Sequence, residues 1–321
     1  MKRITSFVCA FLVAAALVSV SNTVFAGTGS SELDQVTTIS ELQNALTEGA
    51  TIYISSGTYE IPDNFTIPAD VTLIGETDSA GNNLVTFDTG ESLTSSQSGL
   101  YIYNDGIILQ NINITNSTDA DKPPVKIEAD NVALVNCVIT ANERGSALVV
   151  HGSTGVSLTN CSIEKTNGTT ILSGDYYAVI QVNSGSSVTI SGGTITAANY
   201  GQAHVTFEYS SSSTLYDAAS KLYLSGNITF TGGYGSYPVI YSAAPSSLSR
   251  DDQLYVNGTL VVKQTSSEKT ALETTIDEST IWYSFNADAW DTLLVSYDGY
   301  LYSTTNDTSL FNTIKLLLSA S

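Results

Sequence analysis

Basic side chains are scarce in this 321-residue chain: 11 Lys and Arg stand against 31 Asp and Glu, giving a formal net charge of −20 at pH 7. Nucleic acid and anionic membranes are poor partners for a surface of that sign. Polyanionic sugars are poor partners too, unless calcium or a local basic cluster bridges the repulsion. Charge of either sign is sparse, at 13% of residues, while 42% are hydrophobic. That is enough apolar material for a long core, so the chain is not of the disordered class, and its acidity serves solubility. Cysteine is nearly absent, with three residues in all: Cys9, Cys137 and Cys161.

The first 26 residues, "MKRITSFVCAFLVAAALVSVSNTVFA", place Lys2 and Arg3 ahead of a run of small and branched apolar residues. This reads as a secretory signal peptide cut after Ala26. The run is too short, and too interrupted by Ser19, Ser21 and Asn22, for a membrane anchor. Cys9 precedes the apolar region instead of following it, which argues against a lipid anchor. The expected product is secreted, extracellular or periplasmic, without membrane insertion. The signal removes two of the 11 basic residues and none of the 31 acidic ones, leaving 9 − 31 = −22. Residues 27–38 read as a flexible lead-in.

The remaining chain repeats itself. "DGIILQNINIT" (105–115), "DNVALVNCVIT" (130–140), "TGVSLTNCSIE" (154–164), "SSVTISGGTIT" (186–196) and "SKLYLSGNITF" (220–230) can be laid over one another, the first three at a period of about 24 residues. In each, an alternating stretch meets a small or amide residue and then a second stretch. Val132/Leu134, Val156/Leu158, Val188/Ile190 and Leu222/Leu224 share inward parity, and Ile114, Ile139, Ile163 and Ile195 follow the break. A third set of apolar stretches lies between: 99–104, 124–128, 146–151, 177–183 and 203–209. Three short strands per period, separated by Gly, Asn and Ser, describe one coil of a parallel β-helix, with neighbouring coils about 4.8 Å apart. Asn111, Asn136 and Asn160, then Gly192 and Gly226, occupy the bend, where a left-handed backbone is tolerated. Cys137 and Cys161 should stack inside as thiols above Ile112. A disulfide between them is the alternative, and neither has the neighbours of a metal ligand.

A stack of coils needs its ends closed. In "ISELQNALTEGATIYISSGTYEI", Ser40 is the expected helix cap with Gln43 returning the bond, Leu42, Ala45 and Leu46 form the apolar stripe, and Gly49 ends the helix. Here the chain resembles the pectin-lyase-like superfamily, through this helix, "ATIYISSGTYEI" (50–61), "ADVTLIGE" (69–76) and the coil pattern to about residue 262. The resemblance implies an all-β fold, a right-handed single-stranded parallel β-helix with an N-terminal capping helix. It is specific for fold and weak for activity, because the superfamily holds lyases, hydrolases, esterases, adhesins and noncatalytic proteins. The expected organisation is signal 1–26, coil stack with cap 39–262, and C-terminal β cap 263–321.

Activity in the superfamily usually sits on the outer face of the first-strand sheet. With Leu100/Ile102, Val125/Ile127, Leu148/Val150 and Ile180/Val182 inward, the outward set is Tyr101, Tyr103, Lys126, Glu128, Val149, His151, Gln181 and Asn183. Glu128, His151 and Asn183 fall in one column, which Glu208 extends. Tyr101, Tyr103, Lys126, Glu128, His151 and Gln181 are the candidate ligand-binding residues, and Glu128, His151 and Lys126 the candidate catalytic ones. A polar solvent face that happens to include them is the competing interpretation. The family's known chemistries find no motif here. Elimination of the pectate-lyase kind needs an Arg or Lys base beside calcium-holding carboxylates, yet the mature chain's only arginines, Arg144 and Arg250, stand in no such cluster. The aspartate and "GHG" series of polygalacturonases and the two aspartates and arginine of pectinesterases are missing, and Asp251-Asp252 is a lone pair. "GGYGSY" (232–237) is a turn, not a phosphate loop.

Two functions remain. The favoured one is a noncatalytic module that binds a polysaccharide or cell-surface glycan as a monomer; the alternative is a polysaccharide-degrading lyase or glycoside hydrolase with an atypical site. No cofactor and no metal site are expected, apart from calcium as a bridge to an acidic sugar. An acid–His or acid–acid pair beside Tyr101 and Tyr103 favours the enzyme.

Overall fold

The computed structural model describes residues 35–63, 65–90, 99–116, 123–141, 145–166, 178–197, 204–207, 220–232, 240–242, 254–263, 292–297 and 300–304, with side chains as far as Thr231. All lie in the second of the two units into which the chain divides, residues 33–321. The signal segment, Arg144, Glu208, Arg250, Asp251, Asp252 and residues 233–237 lie outside the described residues.

Sequence period becomes spatial adjacency. Leu148 lies beside Val125 in one neighbouring strand and Ile180 in the other. Ile139 lies between Ile114 and Ile163, Ile163 beside Ile195, and Ile195 beside Phe230. These pairs are parallel, and all of their residues are at most 1% exposed. Each thereby contributes about 1.5–3 kcal/mol of apolar burial. The strands join a 14-stranded and a six-stranded sheet around one continuous core. This is the parallel β-helix that the repeat and the resemblance imply.

The bend has the expected backbone. Asn111, Asn136 and Asn160 take φ of 57°, 51° and 51°, followed by Gly192 at 71° and Gly226 at 68°. Asn136 Nδ2 donates to Asn111 Oδ1 at 3.2 Å, so amides bond from coil to coil. At Gly192 a Cβ would stand 2.6 Å from Asn160 Oδ1, a contact that glycine avoids. In the first two repeats the bend divides strands, as between Ile108–Gln110 and Ile112–Thr115. In Val156–Lys165, Ser187–Ala197 and Lys221–Gly232 the strand continues through it.

Cys137 and Cys161 immediately precede the paired residues Val138 and Ser162. Both are buried and free, so the stacked-thiol arrangement is the one present. Cys137 Sγ donates to the Leu109 carbonyl at 3.4 Å and Cys161 Sγ to that of Leu134 at 3.3 Å. The neighbouring Cys161 sulfur and burial hold the Cys137 thiol well above its usual range.

The capping helix runs Ile39–Ala45, and its N-cap is Thr38 instead of Ser40. Glu41, not Gln43, completes the capping box: Thr38 Oγ1 accepts from the Glu41 amide at 3.2 Å and Glu41 Oε2 accepts from the Thr38 amide at 3.1 Å. A carboxylate in the first turn also meets the positive end of the helix dipole, which an amide cannot do. The helix stops at a Leu46 C-cap, before Gly49. Leu42 is fully buried, with Ala45 and Leu46 packed on the core beside it, as the stripe requires. At the other end, Thr292–Tyr297 adds in parallel to Leu254–Lys263, and Tyr300–Thr304 pairs with it antiparallel.

Candidate functional site

The six-stranded sheet carries the outward residues. Its parallel register sets Tyr101 beside Lys126, Lys126 beside Val149, and Val149 beside Gln181, which in turn adjoins Thr206. Two residues further along each strand, His151 pairs with Asn183. The same register brings Tyr103, Glu128 and His151 into one row. A β-helix can therefore assemble a constellation from residues 50 positions apart using only strand pairing.

Glu128 is the centre. Lys126 Nζ lies 2.6 Å from its Oε1, and His151 Nδ1 lies 3.4 Å from the same atom. The Tyr101 hydroxyl donates to Oε2. Partial burial raises the affinity of Glu128 for a proton, but hydrogen bonds from Lys126 and Tyr101, with the charge of Lys126, outweigh it and leave the carboxyl below its usual range. Glu128 is thus a fixed anion, unsuited to donate a proton. The hydrogen bond to Glu128, then burial and the carboxylate charge, push the Tyr101 phenol up to about 12, so it keeps its proton.

The aromatic residues form a platform. The rings of Tyr101 and Tyr103 lie 5.4 Å apart, tilted by 49°, and Lys126 Nζ sits 5.3 Å from the Tyr101 centroid. Tyr103 is 45% exposed, with its hydroxyl 2.9 Å from Thr66 Oγ1. The His151 side chain is 40% exposed. Its Nε2 has no hydrogen-bond partner among the described residues. With Nδ1 nearest Glu128, Nε2 is the ring nitrogen left to meet a substrate.

Gln181 and Asn183 do not join this exposed cluster. They keep outward register but are only 6% and 7% exposed, and Thr206 in the next strand is 3% exposed. Every residue of Ile180–Asn183 and Val205–Phe207 is buried, so the outward face closes after His151. Alternation reports which way a side chain points, not whether something lies over it.

Two buried ionisable groups escape the sequence reading. Lys165 follows Ile163 at inward parity and stacks between Ala141 and Ala197, whose small side chains leave room for its stem. Burial lowers its amine to about 8. His204 is fully buried, edge-on to Phe230 at 5.4 Å, with Nε2 3.0 Å from the Thr231 carbonyl. Burial lowers it to about 4. The two-residue alternation held the signal for Lys165; His204, just before a strand, left none. Among the described residues, no group of three or more His, Cys, Asp and Glu side chains is placed to hold a metal. No helix among them is long and apolar enough to cross a membrane.

No family model matches the sequence, and no curated protein matches it. Among solved structures, the chain is similar to a pectin methylesterase from carrot at 15% identity and a TM-score of 0.47, over 83% of this chain and 82% of that one. It is also similar to a pectin methylesterase from Aspergillus niger in penultimately deglycosylated form, at 15% identity and a TM-score of 0.35, over 82% of this chain and 98% of that one.

Proposed function

We propose that this is a secreted polysaccharide-modifying enzyme that uses His151 as a general base. One observation carries the reading: Glu128 Oε1 lies 3.4 Å from His151 Nδ1, beside two tyrosine rings. An acid–His pair in that position is what separates an enzyme from a binding module, because a carboxylate beside Nδ1 favours the ring that accepts a proton at Nε2. The preference for a noncatalytic role, which rested on missing motifs, gives way to it.

The same geometry favours one reaction over others. Glycoside hydrolysis uses two carboxyl groups, one able to donate a proton; among the described residues Glu128 is the one carboxylate of the cluster, and it is held as an anion. Elimination on an acidic sugar needs a free cation for the sugar carboxylate, and Lys126 is already bound to Glu128. Hydrolysis of an ester on the polysaccharide needs neither. Nε2 of His151 takes a proton from water, and the hydroxide attacks the ester carbonyl. The C–O bond then breaks, and the leaving alkoxide regains the proton from His151. An acid and an alcohol result.

A binding-only role retains one supporting observation, the absence of a second acid or a nucleophile from the cluster among the described residues. The test is a polysaccharide panel, acetylated and methyl-esterified as well as unsubstituted, scored for binding, acid release and reducing ends on wild type and His151→Ala. Acid release abolished in the variant, with binding retained, is the expected result. Binding by both proteins with no turnover by either would leave a glycan-binding module, and no binding at all would sink both readings.

A further inference from the structure

The exposed run of the site has two different ends. On the side of the first coils it opens past Tyr103 onto Thr66, which is exposed. It continues over three strands, Leu100–Ile102, Val125–Ile127 and Leu148–His151. Two strand spacings span about 10 Å. On the far side it stops within one strand. The outward positions that continue its rows, Gln181, Asn183 and Thr206, are 6%, 7% and 3% exposed. Gln181 and Asn183 are also engaged by partners of their own. The reactive His151 is therefore the last exposed member of its row among the described residues, not the middle one.

A polymer that binds by running through a groove needs accessible surface on both sides of the reacting group. Here it would have to leave the sheet directly after His151. We infer that the groove is one-ended and that the protein works at the end of a glycan chain or branch. The terminal sugar lies over His151, and the preceding sugars run back across Lys126 and Glu128 to the rings of Tyr101 and Tyr103. Sugar faces stack on such rings while hydroxyls bond to the polar atoms between them. The inference rests on the proposed glycan-modifying role but concerns which part of the glycan is taken.

Two measurements test it. The first compares xylan, glucomannan and methyl-esterified pectin, as polymers, with hexasaccharides cut from each. End recognition makes affinity follow the number of chain ends, so at equal weight the hexasaccharide should bind at least about tenfold better than its polymer. Equal affinity by weight would overturn the one-ended groove while leaving a glycan site in place. Failure of every probe to bind would sink the glycan reading, and this inference with it. The second measurement needs no ligand. Single cysteines at Val149→Cys and Gln181→Cys are labelled with a maleimide in the folded protein, where the native Cys137 and Cys161 are 0% and 4% exposed. Position 149 should react at least about tenfold faster. Equal rates would show the face open beyond His151 and would overturn the inference, whatever binds.

Discussion

A single buried imidazole makes this fold sensitive to acid. His204 has no room for a charge: its Nδ1 has no hydrogen-bond partner among the described residues, and burial depresses its value to about 4 from 6.5. Its contribution to stability is present above the unfolded value and is lost as pH falls toward the folded one. Linkage between those values gives a loss of about 2 kcal/mol from pH 7 to pH 5. His204→Gln should flatten that part of the profile, as read from urea midpoints at both pH values; an unchanged slope would mean that other groups set the acid limit. The stacked cysteines make a second residue-scale case. Cys137→Ala should cost about 1–2 kcal/mol, as a modest core deletion does, without loss of folding. Thiol counting on the unfolded, unreduced mature chain should find both sulfurs free, and none titrating would contradict the packing. The parity of these cysteines is legible in the sequence, because they follow an amide residue at the bend. The burial of His204 is not, because it depends on Phe230 and Thr231, more than two dozen residues away.

The bend and the cap govern the coil as elements. Asn136 holds φ of 51° and donates to Asn111. Asn136→Val places a β-branched residue in a left-handed backbone and removes the amide bond, so about 2–3 kcal/mol of stability should be lost. Asn136→Gly should lose less, because the backbone is then unstrained; equal melting of the two variants would exclude backbone conformation as the cause. The helix Ile39–Ala45 is the other element. Leu42→Asp with Leu46→Asp exposes the end of the stack, and association through that edge should appear in light scattering. A monomeric double variant with unchanged melting would show that the helix does not cap. The helix itself is legible from its stripe, but the sequence reading sets its start two residues late. Ser40 and Thr38 are both plausible caps by type, and the choice fell to the residue whose third successor is Glu41, whose carboxylate also bonds the Thr37 amide at 2.8 Å.

At the scale of the molecule, charge limits what can approach the site. The net charge of −20 repels polyuronates, and Lys126, at 2.6 Å from Glu128, is not free to attract them. Binding of an acidic oligosaccharide should therefore require calcium. Affinity for a neutral one should change less than about twofold on going from low to physiological salt, since no net charge is screened. Titration of both ligands with and without calcium checks this, and tight calcium-free binding of a polyuronate would overturn it.

By itself the sequence determined the coil. Its period, its alternation and its left-handed bend residues are local properties, each enforced by backbone sterics or by the need to bury every second side chain. Strand register followed from them, and with it the row that joins Tyr103, Glu128 and His151. Only the tertiary structure decided what those residues do to one another. Rotamers bring Lys126, Tyr101 and His151 onto one carboxylate, and that convergence fixes Glu128 as an anion. Burial of Gln181, Asn183 and Thr206 ends the exposed face. Alternation cannot foresee either outcome, because direction from a strand is set by its own backbone, whereas contact and cover are set by what packs against it.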